Sequence, residues 1–240
     1  MQLSNKVAIV TGAGRGIGRA TALALARRGA DLVLADMRTQ EMEAVSNEVR
    51  RIGREVITAA MNVTQKSDVE SMVKKALDHF GKVDILANIA GVAVHNLIPD
   101  IREQDWDLNI TVNLKGIFLC TQAVFSHMCN QGSGHIVNVS SMSGKHGSAK
   151  YGAYCASKFG VVGFTEVTRD EGRPHGVKVS VVCPGPVDTE LRHSNHPDDD
   201  RTKLIKPEDV ADVILFLVTR PSRVNIPEAM ILAPLVQQGR

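Results

Sequence analysis

The sequence predicts an α/β fold: one parallel sheet of about seven strands, doubly wound, with helices on both faces. Three observations carry that prediction. Short apolar, β-branched runs alternate with helix-period segments along the chain, the pattern of buried parallel strands joined by right-handed crossovers. No linker, repeat or low-complexity stretch interrupts the alternation, so residues 1–240 read as a single domain. Thr11 to Gly18, Asp36, Asn62, Asn88 to Gly91, Ser141 and Pro184 to Thr189 all fall just beyond a predicted strand, the edge where open α/β sheets bind ligands.

The first strand, Val7-Ala8-Ile9-Val10, runs into Thr11-Gly12-Ala13-Gly14-Arg15-Gly16-Ile17-Gly18 and then a helix stopped near Gly29. Strand, glycine turn, helix is the setting of a Rossmann-type phosphate loop. Glycines let the backbone approach a pyrophosphate, and the helix N-terminus supplies N–H groups and positive dipole. The register Gly-x-Gly-x-x-Gly fails at Ile17, whereas Thr-Gly-x-x-x-Gly-x-Gly fits through Gly12, Gly16 and Gly18. Alone, such a turn is equally a tight strand–helix connection. A second strand over 31–36 ends in Asp36, close to the ~20-residue spacing at which an acid takes the adenosine ribose hydroxyls. Alone, it is equally a turn-capping aspartate.

A helix over 39–53 and a strand over 55–61 lead to Asn62-Val63-Thr64. Ser67-Asp68-Val69-Glu70 reads as a capping box opening a helix to about Gly81. The fourth strand, 83–87, leaves through Asn88-Ile89-Ala90-Gly91. One long helix is expected over 103–130, then a strand over 134–139 into Ser140-Ser141. The helix carrying Tyr154 and Lys158 runs to about Gly172. A strand over 177–183 is stopped by Pro184-Gly185-Pro186, and the polar segment 188–206 is expected to be a mobile lid. A helix from Pro207 to about Thr219 and a strand over 228–234 complete the sheet.

Tyr154 and Lys158 stand one helical turn apart on the same face. A free phenol titrates near ~10, and lowering it by about three units needs roughly 4 kcal/mol from a cation held beside it. Ser141, where the fifth strand runs out, offers a hydroxyl for the oxygen that the tyrosine protonates or deprotonates. A Tyr-x-x-x-Lys pair alone occurs by chance on many helices. Its weight comes from the other features converging on the same edge.

Composition bounds the alternatives. Apolar residues make up 43% and charged residues 22% of the 240, ordinary for a well-cored domain. A net charge of +2, no Lys/Arg run and 4% aromatics argue against a nucleic-acid partner. Cys120, Cys129, Cys155 and Cys183 form no Cys-x-x-Cys pair and read as free thiols in a reducing compartment. Met1 to Lys6 leads straight into the first strand, leaving no room for a signal peptide. No apolar run approaches the ~20 residues of a membrane span. A cytoplasmic protein without a membrane partner is expected.

Taken together, Thr11-Gly12-x-x-x-Gly16-x-Gly18, Asn88-x-Ala90-Gly91, Asn113, Ser141, Tyr154-x-x-x-Lys158 and Pro184-Gly185 resemble the classical short-chain dehydrogenases/reductases, from Lys6 to about Pro234. The resemblance implies an oxidoreductase moving a hydride between a nicotinamide cofactor and a secondary alcohol or ketone. It implies a catalytic tetrad of Asn113, Ser141, Tyr154 and Lys158. Tyr154 would be the acid/base, Ser141 would orient the substrate oxygen, and Lys158 would lower the tyrosine pKa and hold the nicotinamide ribose. Asn113 would anchor a water in a proton relay. The cofactor contacts it implies are Gly12, Arg15, Gly16, Ile17, Gly18, Asp36, Asn62, Val63, Asn88, Ala90, Gly91, Tyr154, Lys158, Pro184, Gly185, Val187 and Thr189. It implies no metal, a small-molecule substrate and a homodimer or homotetramer.

Four positions depart from the family pattern. Ile89 replaces a second asparagine; Asn62 replaces an aspartate but can still accept a hydrogen bond from adenine; Ser180 replaces an asparagine; and Asn225-Ile226-Pro227-Glu228 to Pro234 replaces the usual C-terminal Asp-Gly-Gly. That tail is similar to a branch acting on hydroxy acids and small alcohols, and it puts the tetramer contact in doubt. Asp36 points to NAD(H), against Arg15 and Arg38, which would suit the 2′-phosphate of NADP. Residues 95–98, 143–150 and 186–206 should shape the substrate pocket. A sugar alcohol, a hydroxy acid and a 3-oxoacyl-type substrate all remain open, as does whether Lys145 and His146 attract an acidic substrate or are solvated. His193 and His196 near Asp198-Asp199-Asp200 read as lid residues rather than metal ligands. There is no Gly-x-Ser-x-Gly elbow and no P-loop. The rival reading is a catalytically silent dinucleotide-binding sensor or scaffold, for which an intact tetrad would be superfluous.

Overall fold

The computed structural model describes residues 2–234. Its sheet has seven parallel strands: β1 (Val7–Thr11), β2 (Asp31–Asp36), β3 (Val56–Ala60), β4 (Ile85–Asn88), β5 (Gly134–Val139), β6 (Val177–Pro184) and β7 (Glu228–Ile231), in the order β3-β2-β1-β4-β5-β6-β7. The chain builds outward from β1 to β3, then crosses to β4 on the other side of β1. Loops leaving β1 and β4 therefore part in opposite directions and open a crevice at the carboxyl ends of the strands.

The strands read as near-continuous apolar runs because both faces are covered. Helices α1 (Gly16–Arg27), α2 (Thr39–Arg51) and α8 (Pro207–Val218) pack on one face; α3 (Lys66–Phe80), α4 (Glu103–Ile110), α5 (Gly116–Gln131) and α6 (Gly152–Gly172) pack on the other. The short α7 (Glu190–Asn195) lies outside both layers. Ile9, Leu32, Leu34, Leu86 and Ile136 are fully buried between the layers, each worth about 1.5–3 kcal/mol of transfer free energy.

Three local expectations are corrected. The helix expected over 103–130 is interrupted by a π-helical turn, Thr111–Lys115, with Asn113 at its centre; π turns are frequent at functional sites. The apparent capping box at Ser67 is not used. Helix α3 begins at Lys66 after Gln65, and Asp68 accepts instead from the Asn62 backbone N–H at 3.1 Å, bracing the turn after β3. The final strand ends at Ile231 rather than 234. By length and composition the segment 103–131 passes for a membrane span. Its apolar residues Leu119, Cys120, Val124 and Met128 are spent on the core beneath the sheet.

Candidate active site

The loop after β1 is shaped by backbone contact. Gly12 has φ of +67°, and a Cβ there would stand 2.9 Å from the Ala90 Cα. A Cβ at Gly18 would run into the Gly12 carbonyl. The Thr11 hydroxyl accepts from the backbone N–H groups of Ile89 and Ala90 at 3.0 and 3.2 Å, locking the β1 and β4 loops together across the switch point. These bare backbones make a cradle that any side chain would fill, which fits a dinucleotide pyrophosphate.

Asp36 ends β2 with both carboxylate oxygens engaged, accepting from the Gly14 N–H and the Arg38 N–H at 2.9 Å each. The two nearby arginines both have acid partners: Arg38 reaches Glu41 at 3.5 Å, and Arg15 pairs with Glu190 of α7. Asn62 closes a turn on itself, its side-chain oxygen accepting from the Thr64 N–H and hydroxyl at 3.0 and 2.9 Å. The acceptor expected for adenine is thus already occupied by a local turn. Val63 is buried, and its side chain packs where a Cβ on Gly116 would stand. Asn88 is 1% exposed and donates to Asn138 at 2.8 Å and to Thr121 at 3.3 Å. It is a strut between β4 and β5, not part of the cleft wall.

The loops leaving β1, β4, β5 and β6 meet around one cleft of about 1110 Å³, larger than the ~300–1,000 Å³ typical of a single small-ligand pocket. Ile17, Gly91, Ser141, Tyr154, Lys158, Pro184, Gly185, Val187 and Thr189 all line it. Asn113 lies just behind. A Cβ on Gly91 would sit 3.2 Å from the Asn113 side-chain oxygen and 3.8 Å from the Lys158 Nζ. Asn113 is fully buried, accepting from the Val92 N–H at 2.9 Å and donating to the Val92 carbonyl and the Ser157 hydroxyl at 3.0 and 3.1 Å. Both its amide hydrogens are committed to protein, so anchoring a relay water does not use them.

Lys158 is 5% exposed, and its Nζ donates to the Val139 carbonyl at 3.0 Å. Burial lowers its pKa to about 8. The same Nζ lies 5.6 Å from the Tyr154 ring centre. Tyr154 is pushed up to about 12, chiefly by burial, with the Ser141 hydroxyl acting in the opposite direction. Burial thus acts on the phenol in the direction opposite to that expected of Lys158, whose Nζ is turned towards a backbone carbonyl. The site therefore holds a neutral phenol beside Ser141.

The segment over 188–206 is more structured than expected. Thr189 caps α7, accepting from the Arg192 N–H. Asp188 accepts from His193 at 2.6 Å, Lys206 at 2.8 Å and Arg201 at 3.0 Å, and these three partners hold its carboxyl far below the usual range. The segment also leans on the domain: Asn195 donates to the Ala93 carbonyl at 3.2 Å, and the Tyr151 hydroxyl and His196 Nε2 lie 2.6 Å apart. Lys145 turns to Glu228 of β7 at 2.5 Å, so it neither awaits an acid in the cleft nor stands in solvent. Ser180 is buried between His135 at 2.9 Å and the Ile226 carbonyl at 2.6 Å, fastening the 225–228 segment to the sheet.

His95 falls in a segment expected to shape the pocket, but its partner Tyr151 was overlooked; their rings lie tilted against each other at 3.9 Å between centres. The signal available for Tyr151 was its position, one turn before Tyr154.

The model of the family described as short chain dehydrogenase matches residues 6–200. The 3-oxoacyl-[acyl-carrier-protein] reductase FabG of Thermotoga maritima is 36% identical over 230 residues, covering 92% of this chain and 94% of its own length. Among solved structures, levodione reductase superposes with a TM-score of 0.90 at 30% identity, covering 95% of this chain and 96% of its own. A metagenomic short-chain oxidoreductase in complex with NADP gives 0.85 at 33% identity, covering 96% and 98%.

Proposed function

We propose that this chain, which belongs to the short-chain dehydrogenase family, reduces a ketone to a secondary alcohol with NADH, Tyr154 giving the proton. The observation that carries this reading is the convergence of Ser141, Tyr154 and Lys158 on one cleft, with Asn113 behind them. The nicotinamide, when bound, supplies the hydride at the carbonyl carbon. Backbone N–H groups of the Gly12–Gly18 loop would hold the pyrophosphate, and Asp36 the adenosine ribose. Lys158 would hold the second ribose, with Ala90, Gly91, Pro184, Gly185, Val187 and Thr189 around the nicotinamide end.

Ser141 holds the substrate oxygen beside the phenol. Tyr154 is protonated at neutral pH, as a proton donor to a developing alkoxide must be. The Lys158 ammonium then stabilises the phenolate left behind, and Asn113 keeps the 91–92 loop fixed against Lys158. For the cofactor, Asp36 carries the choice. A 2′-phosphate at the end of β2 would meet its carboxylate, a repulsion of about 4 kcal/mol at 4 Å and an effective dielectric of 20. Arg15 and Arg38 are each engaged with a glutamate. The NADP held by the metagenomic relative makes NADPH the rival.

Surplus apolar residues on α5 and α6, including Phe118, Phe159 and Val167, face outward. They suit a symmetric helix-pair interface in a cytoplasmic homodimer or homotetramer. Sedimentation at micromolar concentration should give at least twice the 25.9 kDa chain mass; a monomer mass would remove this part. The activity is tested by following NADH fluorescence against a panel of ketones, with the alcohols and NAD in reverse. Tight dinucleotide binding with no turnover of any member would favour a silent sensor instead.

A further inference from the structure

The wall of the cleft beside Tyr154 carries a group of rings that the tetrad does not account for. His95 lies tilted against Tyr151 at 3.9 Å between ring centres, meets Tyr154 edge-on at 5.6 Å and lies 5.8 Å from His196. The Tyr151 hydroxyl and His196 Nε2 satisfy one another at 2.6 Å. His95 is different. Neither of its ring nitrogens has a hydrogen-bond partner among the described residues; Nε2 is shut off from solvent, so Nδ1 is the nitrogen that a ligand entering the cleft can reach. A buried polar atom left unpaired is costly, and such groups call for an explanation, a ligand among them.

The charge state and surroundings of His95 say which ligand. Burial, reinforced by His196 and Arg192, lowers its pKa to about 4, so the ring is neutral at physiological pH and offers one donor and one acceptor. Lys158 and Arg192 are the lysine and arginine side chains on the cleft wall. Lys158 is given to the Val139 carbonyl, and Arg192 is paired with Asp199 at 2.5 Å. Lys145 and Arg15 are paired outside the wall with Glu228 and Glu190. A carboxylate entering here would lose its water and find both cations already engaged, Lys158 with a backbone carbonyl and Arg192 through Nε with Asp199, a costly exchange. An uncharged oxygen would lose less and would complete His95.

We propose that His95 is a substrate-binding residue that selects uncharged carbonyl substrates bearing a second oxygen one or two carbons from the reacting one. These are neutral dicarbonyls or hydroxy-carbonyls, preferred over keto acids. The inference rests on the reading of the cleft as a carbonyl-reducing site. The nearness of the His95 ring to Tyr154 lets a single small molecule give one oxygen to the phenol and the next to the imidazole.

A matched trio of probes tests it: ethyl acetoacetate, its charged counterpart acetoacetate, and hexan-2-one, which lacks the second oxygen. In the wild-type enzyme kcat/KM for ethyl acetoacetate should exceed that for each of the others at least tenfold, the scale of one well-placed hydrogen bond in a site built for it. His95→Leu should cut the preference over hexan-2-one about tenfold, mainly through KM. His95→Gln, which keeps an amide donor and acceptor, should restore part of it. Acetoacetate used as well as its ester, or an equal loss on all three probes in His95→Leu, would overturn the proposal. Binding is read separately by titrating ethyl acetoacetate into the dinucleotide complex of Tyr154→Phe and following the His95 imidazole resonances, assigned by their loss in His95→Leu. A shift there with no turnover in wild type would sink the reductase reading and leave His95 standing. No shift, with or without turnover, would sink the His95 assignment.

Discussion

The two halves of the strand-end edge are built by different means. On the β1–β3 side the surface is backbone: Gly12 against Ala90, Gly18 against Gly12, and Asp36 tied to the N–H groups of Gly14 and Arg38. On the β4–β6 side it is side chains: Tyr154, Lys158, the His95–Tyr151–His196 rings, and a covering segment held by the Asp188 ion pairs. Backbone surfaces recognise what all dinucleotides share. Side-chain surfaces carry proton chemistry and selectivity, and their charge states depend on burial.

The division should hold under substitution, and the largest effect belongs to the backbone half. Gly18→Ala places a methyl group against the Gly12 carbonyl. Dinucleotide affinity, read by fluorescence titration, should drop on the order of 100-fold, as misplaced binding geometry can cost. Near-wild-type affinity would show that the loop yields.

In the other half, Lys158 gives a pH signature. Its pKa falls from 10.5 to about 8 on folding, while Tyr154 at about 12 stays protonated in this range. The kcat/KM for ketone reduction should decline about tenfold per pH unit above 8, as the ammonium is lost, and Lys158→Ala should remove that limb of the kcat/KM profile. Stability runs the other way. Between pH 8 and 10.5 the unfolded chain binds the extra proton, so this lysine's contribution to stability rises with pH across that window. Activity and stability falling together there would contradict the assignment.

Cofactor choice tests whether one side chain can matter in a backbone half. Asp36→Ser should narrow or reverse an NADH:NADPH preference in kcat/KM of at least about tenfold, about a third of the ~4 kcal/mol repulsion at a dielectric of 20. Equal or better use of NADPH by the unmodified enzyme would mean that Arg15 and Arg38 prevail. The smallest effect is at the covering segment. Tyr151→Phe removes the bond to His196, worth about 1 kcal/mol. Substrate KM should rise several-fold, with the dinucleotide dissociation constant unchanged; a parallel loss of dinucleotide affinity would blur the division.

The same contrast explains what the sequence disclosed. The glycine register and the alternation of strands and helices were legible because each is a local pattern, as were Ser141 where β5 runs out and Tyr154 and Lys158 one turn apart on α6. Tyr151 and His196, or Lys145 and Glu228, are separated by 45 and 83 residues, and no local pattern joins them. The burial that raises the Tyr154 phenol was not legible, because burial is a property of the packed site. The π turn at Asn113 leaves no mark in side-chain periodicity. Asn62 and Asn88 carried the right residue types for cofactor contacts, but one is folded into its own turn and the other into the sheet.

The central claim is that proton transfer and dinucleotide binding reside in separate halves of the strand-end edge. Tyr154→Phe tests it most directly, with NADH affinity and ketone turnover measured on the same sample. The account predicts a dissociation constant within about twofold of wild type and a kcat lower by about 10²–10⁴-fold. Turnover at the wild-type rate, or affinity and turnover lost together, would contradict it.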